Sequence, residues 1–233
     1  MIRGANRKRA ARNTWGGVGL ESLFLEWIVR SLKPGGHASV VVPDGILRNA
    51  NNSSLRENIA SRCVIESVIS LPVNAFFSTA KKTYVLNVQR KKFNADGTLP
   101  VQRSKVFTYI CSSIGETLNV YRFDDPDNDD LKDAVDAYNV YRSLRDANSV
   151  SDAAIDAYIE HLPNHIKARL RLLEANEFVS GSWVAEDYWS EDEKIALGLR
   201  NDKENLTPSR FVELLRDTIN IMDDYAKELE CME

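Results

Sequence analysis

Apolar residues recur at three- and four-residue spacing through LESLFLEWIVRSL: Leu20, Leu23, Phe24, Trp27, Ile28 and Leu32 form one stripe. That period predicts an amphipathic helix. Gly35 and Gly36 end it, and Lys33 sits in its last turn, where a cation suits the carbonyl ends. The pattern then changes. HASVVVP is almost continuously apolar and β-branched, as strands buried on both faces of an α/β sheet are. It stops at Pro43, Asp44 and Gly45, residue types that favour turns for backbone reasons. SSLRENIAS predicts a short helix capped by Ser53 or Ser54. VIESVISLP and TYVLNVQRKK predict a second and third strand, and KVFTYICSS a fourth, after the turn NADGTLP.

Beyond Ser113 the texture becomes helical. FDDPDNDDLKDAVDAYNVYRSL opens with an acidic turn and then places Leu131, Val135 and Tyr138 on one face. SDAAIDAYIEHLPNHIKARLRLLEAN predicts helix interrupted at Pro163. SGSWVAEDYWS reads as an aromatic loop. The last helix runs from Pro208 to Glu230, with Thr207 as cap and a stripe of Phe211, Leu214, Leu215, Met222, Tyr225 and Leu229. Its stripe suits either a local bundle or a protein partner.

Helix, strand, helix, strand, strand is the order of the C-terminal half of a doubly wound α/β, Rossmann-like sheet. A mainly helical region follows it. The chain therefore divides into a basic N-terminal segment (1–18), a partial α/β domain (19–113) and a helical region (114–233). A sheet of three or four strands leaves an apolar edge, which predicts self-association. The glycine-rich turn that opens such domains is missing: Gly16, Gly17 and Gly19 of WGGVG do not match GxGxxG.

Composition adds a charge asymmetry. Residues 1–105 hold 17 Lys and Arg against 6 Asp and Glu, while the rest hold 13 against 28. The basic half suits phosphate and the acidic half repels it. No long apolar run suggests a membrane span. The start is basic but lacks the apolar core of a secretory signal. Cys63, Cys111 and Cys231 are odd in number and far apart, which predicts reduced thiols in a cytoplasmic protein.

LFLEWIVRSLKPGGHASVVVPDGIL followed by LRENIASRCVIESVISLPVNAFFSTAKKTYVLNVQRKK resembles the adenine-N6 DNA methyltransferases, above all the modification subunit of type I restriction-modification systems. There a helix ending in K-P-G-G leads into the fifth strand, which closes with P-D-G; a helix headed L-R-E follows, then a strand ending S-L-P, an aromatic loop and a K-T pair opening the last strand. LNVYRFDDPDNDDLKDAVDAYN is similar to the family's downstream segment, so the resemblance covers about residues 20–142. It implies transfer of a methyl group from S-adenosylmethionine to the exocyclic amine of adenine. It also implies DNA as substrate, and specificity and restriction subunits as partners. The family's N-P-P-F/Y tetrapeptide, which grips the flipped base, is absent, since no two of the seven prolines are adjacent. In the family it lies just upstream of where this sequence starts. The expectation is thus a fragment without catalytic residues, not binding S-adenosylmethionine alone and completed by an N-terminal methyltransferase half. The alternatives are a non-catalytic interaction module of the same complexes, and a methyltransferase acting on RNA or a small molecule.

By the same resemblance, Pro43, Asp44 and Gly45 stand on the active-site rim, beyond the carboxyl end of their strand, where ligands of open α/β sheets bind. Phe77, more than Phe76, would contact the extruded adenine, an aromatic ring replacing lost base stacking. Both rings also suit a core under a loop. Lys81 and Lys82 would contact the DNA backbone, or else form a solvated strand edge. Arg3, Arg7, Lys8, Arg9 and Arg12 suit backbone phosphate or a solvated tail. His161 and His165 have metal-ligand spacing, but Pro163 lies between them and no third ligand is recognisable. The acidic run Asp124, Asp125, Asp127, Asp129 and Asp130 lacks a calcium loop's glycine and terminal Glu, and reads as a solvated turn.

Overall fold

A computed structural model describes residues 14–76, 80–118, 121–147 and 152–199, with Val212, Leu215, Arg216 and Ile219 beyond them. The basic tail, Phe77, Cys231 and most of the predicted last helix lie outside the described residues. The chain divides into two units, Met1–Ser190 and Glu191–Glu233. In the first, the elements are α1 (Leu20–Ser31), β1 (His37–Pro43), α2 (Asp44–Arg48), α3 (Ser53–Arg62), β2 (Cys63–Ser70), β3 (Thr83–Arg90), β4 (Val106–Ile110), α4 (Asp130–Asp146), α5 (Asp152–His161), α6 (Asn164–Arg169), β5 (Leu170–Leu173) and α7 (Ala175–Ser180), with single 3-10 turns at Ala50–Asn52 and Ala185–Tyr188. In the second, α8 (Glu191–Ala196) is a short helix in which Lys194 pairs with Glu191 at 2.9 Å.

The strands form one sheet in the order β1-β3-β2-β4-β5. β3 runs antiparallel to both neighbours, so β1 and β2 point the same way, into Pro43 and towards Pro72. β2 and β4 pair in parallel, Ser67 opposite Phe107. Helices cover the sheet, giving the α/β half-sheet that the sequence predicts. On one side Ile69, Phe107 and Tyr109 pack with Ala134, Ala137, Tyr138 and Tyr141 of α4 and with Ile155 and Ile166 from α5 and α6. On α1 and α3, which also pack together, Leu25, Val29, Leu55 and Ile59 are buried.

Two glycines make the α1–β1 connection. Gly35 has φ +81°, and a Cβ there would come within 2.6 Å of Lys92 Cε. The Gly35 amide donates to the Arg90 carbonyl and the Arg90 amide to the Gly36 carbonyl, both at 2.8 Å, so the β1–β3 ladder begins inside this turn. Pro-Asp-Gly at the other end is not a turn. Pro43 is both the last residue of β1 and the N-cap of α2, so strand runs directly into helix.

Four expectations need correction. HASVVVP is a strand, but of its residues only Val42 is buried, because β1 lies at the sheet's edge. The stripe of α1 faces outward: Phe24 is 60% and Trp27 63% exposed, while Ser22, Leu25, Glu26 and Val29 are buried. Glu26 tolerates that position because the Trp15 amide donates to it at 3.1 Å and Arg30 pairs with it at 2.9 Å. LRLL is strand β5 and not helix: it pairs antiparallel with β4, Val106 opposite Leu173. Finally, α3 is not capped by Ser53 or Ser54. Its N-cap is Asn52, whose side chain instead accepts from the Val18 amide and donates to the Gly45 carbonyl.

Candidate functional site

The carboxyl ends of β1 and β2 and the start of β3 converge on one rim. Pro43, Asp44, Gly45, Lys81 and Lys82 line a single cleft of about 500 Å³, with Val18, Glu21, Ile46, Asn49 and Asn52. The β1–β3 register sets this up by placing Pro43 opposite Thr83. The Asp44 amide donates to the Lys82 carbonyl at 3.1 Å, which fixes the first turn of α2 against β3. Phe76 is described but is 40% exposed on the loop after β2 and is not among the lining residues. In that loop Asn74 has φ +66°, and its carbonyl accepts from Arg122.

Charges at the rim are paired. Arg48 sits 3.3 Å from Asp44 and 3.3 Å from Asp187, and the Tyr84 hydroxyl lies 3.4 Å from Asp44. Burial pushes the Tyr84 phenol far above its ordinary range, and the Glu186 and Asp44 carboxylates add to the effect. Lys82 does not point freely into solvent. Its Nζ donates to the Leu71 carbonyl at 2.5 Å and pairs with Glu186 at 2.8 Å. Glu186 also accepts from the Ser70 hydroxyl at 2.5 Å. Sequence reading missed Glu186 altogether: it comes from the aromatic stretch 116 residues after Ser70. Trp183, Val184, Ala185 and Trp189 around it are buried, and Trp189 Nε1 donates to the Ala168 carbonyl at 2.9 Å.

A methyl-donor cradle of strand, glycine turn and helix is not formed by the described residues. Gly16 instead approaches α3, where a Cβ would meet Ser54 Cβ at 3.0 Å, and Gly19 precedes α1 as its N-cap. These glycines serve packing and do not fit S-adenosylmethionine. The remaining candidates fall elsewhere. His161 contacts the Ala157 carbonyl, whereas His165 lies 3.4 Å from Asp133. The acidic run is more than a solvated turn. Asp129 caps α4 by accepting from the Lys132 amide at 3.0 Å. Asp130 accepts from the Ser112 amide and hydroxyl, both at 2.8 Å, and pairs with Arg169 at 3.2 Å, tying the end of β4 to α4.

Comparison with known proteins places this rim in a family. The model of the family described as N-6 DNA Methylase matches residues 18–163. The chain is similar to the type I restriction enzyme EcoKI methylase subunit of Escherichia coli K12, with 34% identity over 64 residues, 27% of this chain and 12% of that protein. It is likewise similar to the StySPI methylase subunit of Salmonella potsdam, with 33% identity over 64 residues and the same coverage. The match thus spans about an eighth of those relatives' length, 12%. Among solved structures, the EcoKI M protein aligns over 40% of this chain and 19% of its own, with 25% identity and a TM-score of 0.34. The family model covers more than half of the residues, and its span takes in β1 to β4 and every residue that lines the cleft, though not Glu186 and Asp187. The chain belongs to the N-6 DNA methylase family.

Proposed function

We propose that this chain is the C-terminal part of an S-adenosylmethionine-dependent DNA adenine-N6 methyltransferase, of the modification-subunit kind found in type I restriction-modification systems. It is inactive alone. Polypeptide carrying the first half-sheet pairs along β1 and brings the cofactor cradle and the base-gripping tetrapeptide. The observation that carries this reading is the free side of β1 with the apolar face of α1 beside it. β1 pairs only with β3 among the described residues, leaving a seven-residue edge, and Leu20, Leu23, Phe24 and Trp27 stand exposed on α1. An unpaired strand edge is recognised by another strand, through main-chain hydrogen bonds. An exposed apolar patch next to it adds the hydrophobic part of an interface.

In the assembled enzyme Pro43, Asp44 and Gly45 form one wall of the base pocket, and Phe77 with Phe76 supplies the stacking surface. Lys81 and Lys82 lie where the DNA backbone would pass. S-Adenosylmethionine, when bound by the complementing half, supplies the methyl group. Specificity and restriction subunits are the further partners, as in the systems to which the relatives belong. The non-catalytic interaction module uses the same edge, so activity after complementation separates the two.

The test uses the 233-residue polypeptide alone and with a co-expressed N-terminal methyltransferase half. Alone it should show no calorimetric binding of S-adenosylmethionine, transfer no labelled methyl group to DNA, and run larger than a monomer in light scattering. With the half it should transfer methyl to adenine. Methyl transfer by the polypeptide alone, or a well-behaved monomer that ignores the added half, refutes the proposal.

A further inference from the structure

The pair formed by Lys82 and Glu186 has an odd composition. Two donors, the Ser70 hydroxyl at 2.5 Å and the Lys82 ammonium at 2.8 Å, converge on the same carboxylate oxygen, Oε1. The other oxygen, Oε2, is buried and has no hydrogen-bond partner among the described residues. One residue along, the Thr83 hydroxyl is buried without a partner as well. The side chains of Lys82 and Glu186 are only 22% and 15% exposed. A cation and a hydroxyl donor aimed at one oxygen, at the carboxyl rim of an α/β sheet, is the arrangement that holds an oxyanion. A carboxylate fills it unevenly, two donors sharing Oε1 while the rest of the group has the Tyr84 hydroxyl beside it.

We infer that Ser70 and Lys82 form a phosphate subsite which the chain fills with its own Glu186 carboxylate, brought there by the anchored segment around Trp183 and Trp189. Glu186 thereby masks Lys82 from a nucleic-acid phosphate. This rests on the proposed DNA-directed reading for its biological source of phosphate, but the anion chemistry stands apart from it. Arg48 does not compete for Glu186, because it is engaged by Asp44 and Asp187. The segment is fixed by buried side chains and not by the ion pair alone, so removing the charge at position 186 leaves the cradle standing.

The test uses the full 233-residue chain, Glu186→Ala, Glu186→Asp and the double variant Glu186→Ala/Lys82→Met, with inorganic phosphate as probe against chloride at equal ionic strength. Phosphate should raise the thermal midpoint of Glu186→Ala, which empties the place of the carboxylate, and leave the parent and the double variant unmoved. Glu186→Asp, which withdraws the carboxylate by one methylene, should respond in between and serves if the Ala variant fails to fold. An equal response in the parent and both single variants overturns the inference, as does a response that survives loss of Lys82. A short DNA duplex then separates the sources. Unmasking one cation for a DNA phosphate should steepen the slope of log affinity against log salt by about 0.9. A phosphate response without that change assigns the subsite to free anions and overturns its DNA role. Absence of methyl transfer in any of these samples bears only on the proposed function.

Discussion

Glu66 shows how a single position can hold two layers together. It falls at the bulge of β2, where the register with β3 slips between Ile65 and Ser67, and it is 1% exposed. Arg145 of α4 pairs with it at 2.5 Å, the Tyr138 hydroxyl donates to it at 3.2 Å, and His37 Nδ1 lies 3.0 Å away. A buried pair of this kind contributes little net stability, yet losing one member leaves the other charge short of a partner. Arg145 keeps Asp146 at 2.7 Å, so Glu66→Leu should cost about 3 kcal/mol, the low end for a broken buried pair, whereas adding Arg145→Met should restore most of it. Tyr138→Phe should cost only about 1 kcal/mol. Urea unfolding of the three variants checks this, and a cheap Glu66→Leu would show that Asp146 and water suffice for Arg145. Cys63 gives a pH dependence. Burial raises its thiol from the ordinary 9.0 to about 11, despite the opposing charge of Arg90. In the unfolded chain the thiol ionises near 9.0, so unfolding at high pH releases a proton. This contribution to stability is whole below pH 9.0 and drains away as pH rises through about 11. Cys63→Ala should flatten that alkaline decline in a series of unfolding midpoints. An unchanged slope would assign the decline to other buried acids such as Tyr84.

α1 carries its own test. Phe24 and Trp27 make no part of the buried core, so replacing both by Glu should leave the helix content and melting of the chain nearly unchanged. Assembly should suffer, because two carboxylates would enter an apolar interface. Circular dichroism with light scattering reads the two effects separately; a variant that still self-associates as before would mean that α1 lies outside the interface. The same helix marks the boundary of what the sequence reveals. The stripe of Leu20, Leu23, Phe24 and Trp27 was readable as a stripe, but which way it faces depends on what lies beyond β1. β1 to β4 were readable because β-branched runs such as SVVV and VIESVI allow little else. LRLL was not: four residues with Arg171 among leucines satisfy a helical period, and only the open side of β4 makes them a strand. Pro43 to Gly45 were readable as the end of a strand, whereas their sharing a cleft with Lys81 and Lys82 came only from the fold. Glu186 gave no signal, since a carboxylate in an aromatic loop acquires meaning only when folding sets it against Ser70 and Lys82.

Viewed as one body, the first unit is a sheet with two unlike margins. β5 is four residues long, held between α6 and α7, and Arg171 on it stacks over Trp189 at 4.9 Å. Short, charged edge strands discourage further pairing. β1 is seven residues long and bordered by apolar α1. The basic first half of the sequence contributes this β1 side, while the acidic second half contributes β5 and the helices around it. Like charge on the second half disfavours stacking of that side against nucleic acid or against its own copies.

The brevity of β5 limits how this protein polymerises. A sheet with two long, bare margins propagates end over end into fibres. Here one margin of the described sheet is blunted, so joining two molecules along β1, or one to its complement, should terminate growth with a closed pair.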